Sequence, residues 1–189
     1  MAIGQPPDWH RERSRFPDDR IRTATDRSQS APDQEKCAWL TDVAKLDGAI
    51  DYRSEDLSAR YAELCPDGVD VFYDNVGGPA LDNVFDHLAL GARIVLCGAI
   101  VRFGGDGPAP GPADYWKMIQ KRARMEGFVI LDHFGRADEV ASILAEMVDQ
   151  GSLVYETDVR HGFEHLPNAL TRPHSGKNLG KQLLTTETT

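Results

Sequence analysis

Three places in this 189-residue chain put reactive or ligand-facing residue types where a fold would expose them: Asp74-Asn-Val-Gly-Gly78, Cys97-Gly-Ala-Ile100 and Phe128-Val-Ile130. Each follows a run that reads as a β-strand. In open parallel sheets ligands dock just beyond the carboxyl ends of the strands, so the residues leaving each strand meet whatever is bound. Gly77, Gly78 and Gly98 would let backbone approach a ligand closely, although the same glycines serve any tight strand-to-helix turn. A fourth pattern, His161-Gly-Phe-Glu-His165, has the HxxEH spacing that sets two imidazoles one turn apart beside a carboxylate. Gly162 inside that turn, Pro167 after it and no downstream acidic ligand except Glu187 favour histidines at a short helix, so no metal site is expected. No serine occupies a GxSxG elbow, and Cys37, Cys65 and Cys97 carry no nucleophile signature, which leaves the catalytic residue unknown. Neither GxGxxG nor GxxxxGK[ST] occurs, and the cluster of Gly104, Gly105, Gly107 and Gly111 has proline where a helix should begin. The usual pyrophosphate cradle, backbone N–H groups at a helix start after a glycine turn, has no counterpart in the sequence.

The elements that must position these exits alternate between helical and strand patterns, which predicts an α/β layer structure. A helix covers Glu35 to Thr41, a short strand Ala49 to Tyr52, and a helix capped by Ser54 runs to Leu64. Val69 to Asp74 is nearly all apolar and reads as a strand covered on both faces. A helix to Leu88, a strand over Ala92 to Cys97, a loop from Gly104 to Pro112 and a helix over Tyr115 to Lys121 follow. Met125 to Ile130 is the next strand, and Ala137 to Gln150 is a periodic helix with Val140, Ile143, Leu144, Met147 and Val148 predicted inward. A strand near Leu153 to Val159, a helix ended by Pro173 and a strand near Leu179 to Leu184 complete the pattern.

Composition excludes several function classes. A net charge of −9 with no dense Lys/Arg tract repels phosphate backbones and anionic lipid, so neither nucleic acid nor membrane is an expected partner. No apolar run approaches the roughly 20 residues that span a bilayer, and three widely spaced cysteines read as reduced thiols, so a cytoplasmic location is expected. Residues 1–33 carry four prolines and six arginines balanced by acidic residues, with few apolar side chains, and are expected to be a disordered leader.

Taken in order, Glu35-Lys-Cys-Ala-Trp-Leu-Thr41, Asp70-Val-Phe-Tyr-Asp-Asn-Val-Gly-Gly78, Leu96-Cys-Gly-Ala-Ile100, Lys121-Arg-Ala-Arg-Met-Glu-Gly-Phe128 and Gly176-Lys-Asn-Leu-Gly-Lys181 resemble one family. The resemblance is to the C-terminal portion of the zinc-independent medium-chain dehydrogenase/reductases, in the prostaglandin reductase and 2-alkenal reductase branch. It implies NADPH-dependent reduction of the carbon–carbon double bond of an enone or enal. Lys36 would then neutralise the 2′-phosphate of NADP, with Tyr52 at the same end. Asn75 would sit at the exit of the fourth strand, Cys97, Gly98, Ala99, Ile100 and Phe103 along the nicotinamide side, and Phe128, Val129 and Ile130 in the nicotinamide pocket. Asn178 would close over the cofactor from the tail.

The same resemblance implies an incomplete Rossmann sheet, doubly wound and mostly parallel, lacking its first two strands. Residues 34–150 would be a partial NADP-binding domain and 151–189 a return to a substrate domain. In the strand order 3-2-1-4-5-6 the two lost strands would fall between the Ala49 strand and the Val69 strand, exposing ladder groups there. Phe103 stands where relatives commonly carry a tyrosine, and Val101 and Arg102 differ from the polar residues usual beside it. The expectation is therefore an oxidoreductase of low turnover as this chain. Two other readings remain open: a non-catalytic remnant or homo-oligomer that pairs through the open edge, and a methyltransferase of related topology resting on Val69 to Gly78 alone.

Overall fold

The computed structural model describes residues 28–104 and 111–186. The expectation of disorder over residues 1–27, most of the 104–112 loop and Glu187 lie outside the described residues. The elements are β1 (Ser28–Ala31), α1 (Gln34–Asp42), β2 (Gly48–Asp51), α2 (Leu57–Leu64), β3 (Val69–Asp74), α3 (Pro79–Asp86) and β4 (Leu88–Leu96). They continue with α4 (Trp116–Lys121), β5 (Arg124–Gly127), α5 (Ala137–Asp149), β6 (Thr157–His161), α6 (Leu166–Ser175) and β7 (Lys181–Thr185), and 3-10 turns occupy Ile100–Gly104, Ile130–Arg136 and Phe163–His165.

Every strand pair is parallel. β1 lies beside β2, β3-β4-β5 form a second sheet, and β6 lies beside β7. A parallel pair needs a crossover, and α1, α3 and α4 supply them within the first two sheets. Their starts follow capping chemistry: Asp33 accepts from the Lys36 N–H at 2.9 Å and Asp56 from the Ala59 N–H at 2.8 Å. Asp56, not Ser54, caps α2; the Ser54 hydroxyl donates instead to Asp51 Oδ2 at 2.7 Å.

One core joins the first two sheets. Ile50, Tyr61, Val69, Leu81, Val84, Phe85, Leu88, Ala92 and Ile94 form a continuous buried cluster contributed by β2, α2, β3, α3 and β4. Burial of the Tyr61 ring pushes its hydroxyl pKa up to about 12.

Four expectations change. The leader through residue 33 contains an ordered strand, because Ser28–Ala31 pairs with Gly48–Asp51 and Asp33 caps α1. Backbone pairing needs no apolar side chains, so Ser-Gln-Ser-Ala carries no hydrophobic signal. The resemblance implied that both strands between the Ala49 strand and the Val69 strand were lost, yet β1 pairs with β2; no strand among the described residues joins that pair to β3-β4-β5. The strand read as Met125 to Ile130 ends at Gly127, where Ile130–Arg136 turns as a 3-10 helix. Finally, β3 and α5 each show an apolar face to solvent: Val71 is 59% and Tyr73 58% exposed, as are Val140, Ile143 and Leu144 at 43–50%. Periodicity finds the face but not the surface that covers it.

Candidate functional site

Parallel strands point all their carboxyl ends one way, and the chain leaves β3, β4 and β5 on one edge. Asp74, the last residue of β3, is only 2% exposed. Its Oδ1 accepts from the Val76 and Gly77 N–H groups, both at 2.9 Å, which curls the chain into the turn before α3. Gly77 and Gly78 complete the turn at φ +76° and +61°, a region that side chains disfavour. Asp74 Oδ2 is buried with no hydrogen-bond partner among the described residues.

The β4 exit folds back on that turn. The Cys97 N–H donates to the Asp74 carbonyl at 2.7 Å, Ile100 N–H to the Asn75 carbonyl at 3.2 Å and Val101 N–H to the Val76 carbonyl at 3.1 Å. Gly98 packs so closely that a Cβ there would stand 2.4 Å from Asn75 Oδ1. The Cys97 thiol is exposed and shares a hydrogen bond with the Tyr73 hydroxyl, which holds the phenolic proton and raises the Tyr73 pKa. The β5 exit completes the edge. The Phe128 N–H donates to the Leu96 carbonyl at 3.2 Å, and its ring lies between Tyr73 (centroids 6.4 Å apart) and His133 (6.2 Å). Val129 and Ile130 follow at 54% and 61% exposed. Asn75, Cys97, Gly98, Ala99, Ile100, Phe128, Val129 and Ile130 are thus brought onto one shelf, and Phe103 follows in the 3-10 turn.

A second group gathers at the carboxyl ends of β1 and β2. Lys36 sits in the first turn of α1, and its Nζ donates to the Gly176 carbonyl and lies 4.0 Å from Asp33. Tyr52 leaves β2 with its N–H on the Ala31 carbonyl at 3.2 Å. Gly176, the left-handed C-cap of α6, rests against Pro32 and Arg53, which brings the tail loop to this end. In that loop the Asn178 side-chain amide donates to the Gly180 carbonyl at 2.7 Å.

Asp51 is the residue that sequence reasoning passed over, and Asp74, named there only as the start of the β3 exit, was given no role of its own. Asp51, 7% exposed, accepts from the Ser54 hydroxyl at 2.7 Å and the Arg53 N–H at 3.0 Å, and these bonds, Ser54 first, hold its pKa below the usual carboxylate range. Each is the last residue of its strand, a position where aspartate builds a turn by bonding backbone two residues on; that signal was available in the sequence. His161 ends β6 and His165 ends a 3-10 turn, so the HxxEH pair does not share a helix.

Parallel strands whose exits meet on a glycine-lined shelf define a Rossmann-type α/β unit. The chain belongs to the zinc-binding dehydrogenase family, whose model matches residues 45–184, within the medium-chain dehydrogenase/reductases. It is 36% identical over 82% of its length to the NADP⁺-dependent 2-alkenal reductase of Nicotiana tabacum, of which it covers 45%. It is 31% identical over 79% of its length to the NADPH-dependent curcumin reductase of Escherichia coli, again covering 45%. Among solved structures it is similar to CurA of Vibrio vulnificus in complex with NADPH, at 32% identity and a TM-score of 0.76, over 86% of this chain and 50% of that one. The chain spans about half the length of the relatives it matches. No helix among the described residues is long and apolar enough to cross a membrane.

Proposed function

We propose that this chain contributes the C-terminal part of an NADPH-binding site in a reductase acting on the carbon–carbon double bond of α,β-unsaturated carbonyl compounds. The observation that carries the reading is the shelf itself, three strand exits folded onto one another at Gly77, Gly78 and Gly98 with an aromatic and aliphatic wall beside them. The residues fit the cofactor: the positive-φ turn at Gly77 and Gly78 presents backbone at the shelf, and Lys36 places an ammonium at the opposite end for a phosphate. When bound, NADPH supplies the hydride that reaches the β-carbon of an enone or enal. Lys36 and Tyr52 bind the adenosine-phosphate end, Asn75 and the 97–100 backbone orient the nicotinamide side, and Phe128, Val129 and Ile130 exclude water from it. Asn178 closes over the cofactor from the tail.

The segment from residue 151 onward serves a substrate domain, and residues 34–150 the cofactor. Hydride transfer of this kind runs without a zinc ion. Three thiols without a disulfide accord with a cytoplasmic location. The test is titration of the 189-residue chain with NADPH and NADH, followed by nicotinamide fluorescence. NADPH should bind at least about tenfold more weakly to K36A, with NADH unaffected, as expected for loss of one charge-assisted contact to phosphate. Absence of NADPH binding, or equal losses for both cofactors, would overturn the reading. Turnover of an enal by this chain alone should fall far below the roughly 10 s⁻¹ typical of enzymes.

A second reading, assembly through the β3 edge, draws on the exposed Val71 and Tyr73. A monodisperse monomer in light scattering at high concentration would overturn it.

A further inference from the structure

We propose that the open cleft between β6, the Phe163–His165 turn and α6 is a binding site for a phosphate monoester. It lies on a different sheet from the strand exits and does not rest on the nicotinamide reading. Its volume is about 450 Å³, and it is lined by Val159, Arg160, His161, His165, Asn168 and Arg172. That size is within the range of roughly 300–1,000 Å³ that holds small organic ligands.

No acidic side chain lines this cavity, on a chain whose net charge is −9. Behind the wall, the single carboxylate of Asp158 serves two guanidinium groups: Arg160 Nε at 3.2 Å and Arg172 Nη2. One negative charge against two positive ones leaves the trio cationic. Arg172 is further fixed by its Nε donating to Gln182 Oε1 at 3.0 Å and its Nη2 to the Lys177 carbonyl at 2.7 Å. Gln182 in turn donates to the Asp158 carbonyl at 2.7 Å, so strands β6 and β7 and helix α6 hold the arginine wall in one arrangement. A wall ordered before binding loses little entropy when the ligand arrives.

The remaining lining groups add polar side chains and one apolar surface. Arg160 engages Asp158 through Nε, and its two terminal nitrogens extend the fork that suits phosphate oxygens. The His161 ring is held by a 3.0 Å hydrogen bond between Nδ1 and the Thr185 hydroxyl, which sets the orientation of Nε2. His165 Nε2 lies 3.8 Å from Glu164 Oε1. Asn168 brings an amide from the first turn of α6, a ten-residue helix with no side-chain cap, whose positive dipole end adds to the same field. Val159 gives the organic body of the ligand an apolar surface.

The test is a titration of the full 189-residue chain with phenyl phosphate and with inorganic phosphate, read from the histidine and arginine side-chain resonances in heteronuclear NMR. Phenyl phosphate should produce saturable shifts at His161 and His165, and inorganic phosphate should move the same signals with lower affinity. R160Q and N168A should each weaken phenyl phosphate binding about tenfold, the effect of losing one donor to an anion. Because R160Q also removes a partner of Asp158, N168A carries the test if R160Q unfolds. Shifts that do not saturate, or affinities unchanged in folded N168A, would overturn the proposal.

Discussion

Substituting Asp74 separates the turn-building role of a buried carboxylate from that of its charge. In D74A the Val76 and Gly77 N–H groups lose the oxygen that both reach at 2.9 Å. Gly77 is buried and Val76 is 47% exposed, so water can replace the lost acceptor at Val76 but not at Gly77. A buried N–H left without a partner costs about 1–3 kcal/mol, and loss of the partly exposed bond adds about 0.5–1.5 kcal/mol. The expected destabilisation is therefore about 2–4 kcal/mol, a large share of the 5–15 kcal/mol typical of a folded domain. With a urea slope of about 1–3 kcal/mol/M, the unfolding midpoint should fall by roughly 1–2 M. D74N is the control, since its amide oxygen retains both bonds while its NH₂ replaces Oδ2, which has no partner among the described residues. Its cost should stay below about 1 kcal/mol, because removing an unpaired buried charge offsets the weaker acceptor. The reasoning fails if D74A unfolds within about 0.5 kcal/mol of the parent, or if D74N costs as much as D74A.

Ile94, 1% exposed in the centre of β4, should cost about 2–5 kcal/mol when truncated to alanine, measured in the same urea series. G180A should loosen the β6–β7 pair, because Gly180 has φ +75° and an added Cβ would lie 2.0 Å from the Glu156 carbonyl oxygen; faster amide exchange confined to β6 and β7 is the expected signature. Hydrogen bonding to Arg172 holds the Asp158 pKa below its ordinary value, so its contribution to stability is present above the ordinary carboxylate pKa and is lost as pH falls through the lowered one. The Arg172 Nε signal should therefore shift in acid, and in D158N that transition should vanish. Cys97, exposed, should react with a disulfide reagent before Cys37, whose thiol pKa is raised by burial first and then by Asp51, Glu55 and Asp33; equal rates would contradict this.

Local chemistry was legible wherever a residue acts within a few positions of itself. Gly77 and Gly78 announced the turn after β3, the alternation of elements announced an α/β layer structure, and Glu35-Lys-Cys-Ala-Trp39 lay on a helix as read. The shelf residues Asn75, Cys97–Ile100 and Phe128–Ile130 could be nominated because parallel strands release their chains on one side. Other parts were opaque for physical reasons. Ser28–Ala31 is a strand only because β2 offers it backbone partners 20 residues away, at Gly48–Asp51. Ser54 and Asp56 are both competent caps, and the choice fell to Asp56 because Asp51 claims the Ser54 hydroxyl.

Taken alone, the sequence determined the alternation of helices and strands from α1 onward and the strand exits, which follow from residue type and spacing, and its ordered motifs carried the family resemblance. Tertiary structure decided which residues meet. It laced Cys97 to Val101 onto Asp74 to Val76, carried the Gly176 loop across the chain to Lys36, and set two arginines on one Asp158 beside a pair of histidines. Such contacts join positions far apart in the chain. They depend on how sheets and helices pack, a property of the whole fold that no local window of residues encodes.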